Sequence, residues 1–104
     1  MNEIEQAIDR MTVSEIDGNG LQYYAGYLEP IQLDARGLIH NTKAFSVWID
    51  HKRNKSTLFW ETWLHGAPSN LQEVEVIKDE VLVPEEVPAL LKKYGRGPQE
   101  EEGE

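Results

Sequence analysis

The sequence predicts an α+β domain in which an antiparallel sheet of four to six strands is combined with a short N-terminal helix and a short C-terminal helix. Apolar residues recur at helical spacing near both ends of the chain, and they alternate with polar residues through its middle. With 104 residues, the chain is long enough for one hydrophobic core but too short for a second. We expect residues 1–96 to form a single globular domain and residues 97–104 a disordered acidic tail.

The N-terminal helix is predicted from a capping pattern and an apolar stripe. Asn2 is placed to cap a helix, and Glu5 follows three residues later, as in a capping box. Ile4, Ile8 and Met11 then fall at helical spacing. This start of the chain is acidic and amphipathic, so we do not expect a secretory or mitochondrial leader.

The C-terminal helix is predicted to begin between Pro84 and Pro88, because proline is tolerated in a helix only in the first turn. Gly95 is placed to end it. The apolar residues that repeat at i, i+3, i+4 and i+7 are Val87, Leu90, Leu91 and Tyr94.

A first hairpin is expected near the N-terminus. Residues 12–16 and 21–28 are joined by residues 17–20, whose Asp-Gly and Asn-Gly pairs supply the positive φ angles of a tight turn. Gly26 within the second arm predicts a β-bulge. Residues 31–36 alternate apolar and polar side chains, which fits a further strand.

The segment from residue 45 to residue 64 contains all three tryptophans and both phenylalanines of the chain. It predicts two strands joined by a polar turn. In one register Phe59 and Trp63 share a face with Phe45, and a shift of one residue places Trp60 there instead. Either register leaves tryptophan on both faces of the sheet.

After the second of these strands, residues 65–70 are predicted to form a loop. The next segment, from residue 71 onward, alternates as a strand, with Val74 and Val76 on one face. Glu73 and Glu75 are expected together on the other face. Two carboxyls that lie close together would raise the pKa of one of them, as an acid–base pair requires.

Charge is unevenly distributed along the chain. The net charge is −9, yet residues 41–65 carry four bases and two acids. A chain with this balance is repelled by a polyanion at long range, so we do not expect binding to duplex nucleic acid. The acidic segments on either side of residues 41–65 also allow a second mode of binding, in which their carboxylates imitate the phosphates of a nucleic acid. The longest apolar run is too short for a membrane helix, and the lack of cysteine favours the cytoplasm.

Catalytic and metal-binding patterns are weak. The three histidines are His40, His51 and His65, and their spacing matches no common pattern of metal ligands. No serine lies in a nucleophile elbow, and the glycines do not form a phosphate-binding loop. We therefore expect a protein that is not an enzyme and that has no metal site and no cofactor.

The function class that the composition favours is protein–protein interaction. Interfaces favour aromatic side chains and arginine. The residues predicted to bind a partner protein or a second copy of the chain are Trp48, Trp60, Trp63, Lys52, Arg53 and Lys55. Small acidic proteins of this kind occur as phage or mobile-element accessory factors that inhibit a host factor, and we take this as the working hypothesis. The alternative is a small-molecule-binding or enzymatic domain with a pocket between the tyrosine-rich arm and the tryptophan hairpin, lined by Tyr24, Glu61 and His65.

Overall fold

A computed structural model describes residues 11–95 and 97–98 of the chain. Its main element is a five-stranded antiparallel sheet in which each strand pairs with the next one along the chain. The strands are β1 (Thr12–Val13), β2 (Leu21–Tyr27), β3 (Thr42–Asp50), β4 (Lys55–Leu64) and β5 (Ala67–Lys78). A single turn of 3₁₀ helix (Pro84–Glu86) leads into the helix α1 (Val87–Tyr94).

The sheet and the C-terminal helix of the predicted fold are confirmed. The predicted N-terminal helix falls on residues outside the described part of the chain, apart from Met11. The predicted acidic tail also lies outside it, apart from Gly97 and Pro98, which are buried. Among the described residues, no helix is long and apolar enough to cross a membrane.

The hydrophobic core lies between α1 and one face of the sheet, which we call the core face. Side chains alternate between the two faces of a strand, and on β3 and β4 most of those on the core face are buried. The core consists of Tyr24, Phe45, Val47, Ile49, Leu58, Trp60, Leu82, Val87 and Leu91. The core therefore takes one of the three tryptophans, Trp60, which is 5% exposed.

The segment between β5 and α1 is fastened to the core face by two buried side chains. The Ser56 hydroxyl donates to the Glu80 carbonyl at 2.9 Å and accepts the Leu82 N–H at 3.0 Å. The Tyr24 hydroxyl donates to the Leu82 carbonyl at 2.8 Å. At the edge of the sheet, the Tyr94 hydroxyl of α1 donates to the Glu75 carboxylate. These bonds hold the helix over the sheet.

Three turns use an aspartate in the same way. In each turn, the Oδ1 atom of the aspartate accepts two backbone N–H groups that follow it, and this closes the turn. The three residues are Asp17, Asp34 and Asp50. The first turn joins β1 to β2 as predicted, with Gly20 at φ +79°. The predicted bulge at Gly26 is wrong, because β2 pairs with β3 in continuous register there.

The turn between β3 and β4 sets the register of the tryptophan hairpin. Asp50 pairs with Lys55, which leaves four residues in the turn and places Asn54 at φ +49°. Phe45 therefore lies opposite Trp60, as in the second of the two predicted registers. Trp48, Phe59 and Trp63 point to the face away from α1.

The predicted loop at residues 65–70 is mostly strand. His65 and Gly66 both have positive φ, +52° and +86°, so two residues suffice to reverse the chain and β5 starts at Ala67. Pro68 is accommodated because β5 is an edge strand. The sequence does not indicate this turn, because histidine is an unusual first residue for this type of turn.

An irregularity in β5 changes the face on which one of its two glutamates lies. The register against β4 shifts between Leu58 and Phe59, which face Glu75 and Glu73 respectively. Because Leu58 belongs to the core face and Phe59 to the opposite one, the two glutamates point to different sides of the sheet. The prediction that they form a carboxyl pair is wrong, since a bulge at Val74 breaks the alternation.

Residues 31–36 do not form a strand of the sheet. They belong to a long connection between β2 and β3 that contains a single bridge, Leu33 to Ile39, closed by a turn with Gly37 at φ +83°. The Asp34 carbonyl accepts the Gly37 N–H at 3.0 Å within this turn. The alternating pattern was misleading, because it ends in a local turn before a full strand can form.

Candidate functional site

The face of the sheet away from α1, which we call the open face, carries a row of three aromatic rings. Tyr23 of β2, Trp48 of β3 and Phe59 of β4 are neighbours across the strands. Their ring centroids are 5.5 Å apart for Tyr23 and Trp48, and 6.4 Å apart for Trp48 and Phe59. Tyr23 is 45% exposed and Trp48 is 42% exposed. The described residues therefore leave large aromatic surfaces open to solvent on this face.

A groove of about 360 Å³ runs beside this row. Its lining is mostly apolar, and Leu71 of the edge strand β5 forms part of its wall with an exposed side chain. The lining residues are Leu21, Trp48, Ile49, Asp50, Lys55, Thr57, Phe59 and Leu71. A groove of this composition can bury an apolar side chain or an aromatic group.

One end of the groove is cationic. Lys55 lines it, and Lys52 and Arg53 lie in the adjoining turn. The carboxylate of Asp50 lies at the same end, but both of its oxygens are bonded within the turn. Its Oδ2 accepts a hydrogen bond from the Arg53 guanidinium at 2.9 Å, and its Oδ1 accepts hydrogen bonds from two backbone N–H groups. The hydrogen bond from Arg53 lowers the pKa of Asp50, so this carboxylate stays ionised. Among the described residues, Lys55 forms no ion pair.

The orientation of Trp48 is restricted by a hydrogen bond to the side chain of Ser46. The indole Nε1–H donates to the Ser46 hydroxyl at 3.0 Å. The nearby carboxyl of Glu61, on the same face of the sheet, is only 6% exposed. Burial raises the pKa of the Glu61 carboxyl. Burial also raises the pKa of the Tyr27 hydroxyl, and the negative charge of Glu61 raises it further.

A second aromatic pair lies at the other end of the open face. The rings of Tyr27 and Trp63 meet edge to face with centroids 5.7 Å apart. Trp63 is half-buried, in contrast to Trp48.

The structure places the six predicted partner-binding residues in different surroundings. Trp48 and Lys55 line the groove, and Lys52 and Arg53 lie at its end. Trp63 is on the same face but outside the groove lining. Trp60 is part of the core, so it offers almost no surface to a partner.

The three residues predicted to line a pocket are not brought together. Tyr24 lies on the core face with its hydroxyl bound to Leu82, Glu61 lies under the open face, and His65 is in the turn after β4. Sequence reasoning did not select Tyr23, Phe59 or Leu71 for the site. A correct register would have shown that Tyr23 and Phe59 share the face of Trp48.

No family model matches the chain, and no curated protein and no solved structure shows significant similarity to it.

Proposed function

We propose that this protein is a small interaction module that binds another protein through the open face of its sheet. The segment of the partner protein that it binds carries an apolar side chain next to a carboxylate. The observation on which the proposal rests is the exposed indole of Trp48, flanked by Tyr23 and Phe59 and bordered by an apolar groove.

Exposed aromatic rings held in one orientation are well suited to binding. Tryptophan and tyrosine bury a large area, and they carry much of the binding energy at protein interfaces. The hydrogen bond from Trp48 to Ser46 restricts the indole before any partner arrives. Less side-chain entropy is then lost on association, which supports a role in recognition.

The charge at the groove supports an acidic group on the partner. Lys55 lies in the groove without an ion pair to the described residues, and Lys52 and Arg53 are nearby. The net charge of −9 opposes an acidic partner at long range, but at physiological salt charges are screened beyond about 8 Å. Within contact distance, the local lysines therefore dominate.

We place this module in the cytoplasm and regard it as non-enzymatic. The small size and the excess of acidic residues support the working hypothesis of a phage or mobile-element accessory protein that inhibits a host factor. In that case the host factor supplies the segment that enters the groove.

A small-molecule-binding function is the second candidate. The groove volume of about 360 Å³ falls within the range of ligand pockets. The ring of an aromatic carboxylic acid would pack against the same apolar wall, and its carboxylate would pair with the same lysine. It would bind as a free compound and would need no peptide backbone.

Selection of displayed random peptides on the full-length chain tests the proposal. We expect the selected peptides to share an apolar residue beside Asp or Glu. They should bind Trp48→Ala at least about tenfold more weakly, a loss of about 1.4 kcal/mol. Leu33→Ala is the matched control, because Leu33 is an exposed apolar residue outside the groove, and it should bind as the wild type does.

Lys55→Glu provides a second variant that leaves the aromatic row intact. This variant should bind the acidic peptides more weakly and should bind peptides with a basic residue more tightly. The proposal is contradicted if no peptides are selected, if those selected bind Trp48→Ala as tightly as the wild type, or if light scattering shows a dimer that buries Trp48. Binding of indole-3-acetate without any selected peptide would favour the second candidate.

A further inference from the structure

Three potential metal ligands meet where the long β2–β3 connection contacts the β4–β5 turn. Asp34 and His40 come from the connection, and His65 comes from the turn. One ligating atom from each of the three lies within 4.8 Å of the other two. The His65 Nδ1 atom is 3.0 Å from the Asp34 Oδ2 atom, and the two imidazole rings have centroids 4.1 Å apart.

The backbone around the three residues holds them in this arrangement. The Oδ1 atom of Asp34 accepts the N–H groups of Arg36 and Leu38, which leaves Oδ2 to face His65. The side chain of Asp34 is only 11% exposed. The Gly66 N–H donates to the Ile39 carbonyl at 2.6 Å and so ties the turn to the connection. The cluster thus belongs to a hydrogen-bonded framework and not to two independent loops.

We propose that Asp34, His40 and His65 bind a divalent transition-metal ion of the zinc type. One carboxylate oxygen and two imidazole nitrogens form a common ligand set for Zn²⁺. Ligands bound at about 2.0–2.1 Å in a tetrahedron are about 3.3 Å apart, close to the spacing of the Oδ2 and Nδ1 atoms. The fourth position is left to water. This inference does not depend on the function proposed for the open face.

The spacing of these residues along the chain hides the site. His65 is separated from Asp34 by 31 positions and from His40 by 25. The third histidine, His51, is bound to the side chain of Gln22 by its Nε2 atom at 2.8 Å and takes no part in the cluster. It offers a matched control for the loss of a histidine.

Metal binding has a specific structural consequence. The His65 backbone N–H donates to His40 Nδ1 at 3.1 Å. A neutral imidazole has one nitrogen with a free lone pair. If His40 binds the metal through Nδ1, that lone pair is used. If it binds through Nε2, the proton moves to Nδ1. Either way the His65 amide loses its acceptor.

Titration of the metal-free full-length chain with zinc chloride tests the proposal by calorimetry and by amide NMR. We expect one ion per chain, a large shift of the His65 amide signal, and a higher unfolding temperature, because the ion links the connection to the turn. Visible absorption of bound Co²⁺ reports the coordination geometry independently of stability.

The variants are chosen to preserve the fold. Asp34→Asn retains the Oδ1 acceptor of the turn, and His65→Asn suits the positive φ of this position. Each should weaken binding at least about tenfold, because losing a ligand should cost no less than losing a residue that merely orients one, which typically costs about 10–100-fold. His51→Asn should bind Zn²⁺ as the wild type does. Equal affinity in all variants, more than one equivalent ion, or an unshifted His65 amide would overturn the proposal.

Discussion

Replacing Ser56 by alanine removes the side chain that fastens the segment after β5 to the sheet. Ser56 is fully buried, and its hydroxyl both donates to the Glu80 carbonyl and accepts the Leu82 N–H. The replacement leaves the fold of β4 unchanged, since alanine fits wherever serine does in an extended strand. Its effect should therefore come from the two lost hydrogen bonds.

The size of the effect follows from the surroundings of the two groups. Glu80 is exposed, so its carbonyl can bind water instead, and the loss is about 0.5–1.5 kcal/mol. The Leu82 N–H is buried and is left without an acceptor, which costs about 1–3 kcal/mol. The free energy of unfolding should fall by about 1.5–4.5 kcal/mol. For a domain of this size, each kcal/mol lowers the unfolding temperature by roughly 4–8 °C.

Urea unfolding monitored by tryptophan fluorescence measures the change. The midpoint should move to lower urea, with an unchanged slope, because the surface exposed on unfolding stays the same. Ser69→Ala is the control: within the described part of the chain, the hydroxyl of this β5 serine makes only a long 3.5 Å contact to its own strand. A loss below about 0.5 kcal/mol for Ser56→Ala, or an equal loss in both variants, would refute the role given to Ser56.

Two further predictions concern charge burial and backbone strain. Glu61→Gln should be more stable than the wild type at neutral pH. Burial raises the pKa of Glu61 in the folded state above its usual 4.5, so wild-type stability falls as pH rises from 4.5 through the folded pKa and stays low above it. The advantage of the variant should shrink when unfolding is measured at pH 4, and an advantage independent of pH would contradict this cause. Gly37→Ala should lose about 1–2 kcal/mol, because Gly37 has φ +83° in otherwise open space. Gly18→Ala, with equal space and no positive φ, should be neutral or slightly stabilising in the same urea assay, and equal losses would contradict the strain.

The parts of the fold that were predictable from sequence are those fixed by local signals. The stripe of α1, the turn at Asp17 and the alternation of β3 and β4 each depend on residues close together in the chain. Local signals do not determine the register of β3 and β4, because it depends on how Asp50 closes its turn. That choice decides whether Trp60 or Trp63 shares the buried face of Phe45.

The site depends on longer-range relations that a single sequence does not display. Tyr23 and Phe59 join Trp48 only because three strands align side by side. The cluster of Asp34 and His65 needs a long connection to fold back against a two-residue turn. Neither the turn at His65 nor the fold-back has a strong local signal, so a spacing rule for metal ligands could not find the cluster.

Solvent accessibility of the three indoles, measured with and without a selected peptide, tests the account most directly. Fluorotryptophan resonances of the full-length chain can be followed while a soluble paramagnetic chelate is added. We predict that Trp48 is strongly relaxed in the free protein, that Trp60 is protected, and that peptide binding protects Trp48. The account is contradicted if Trp48 is as protected as Trp60 in the free protein, or if it stays fully accessible when the peptide is bound.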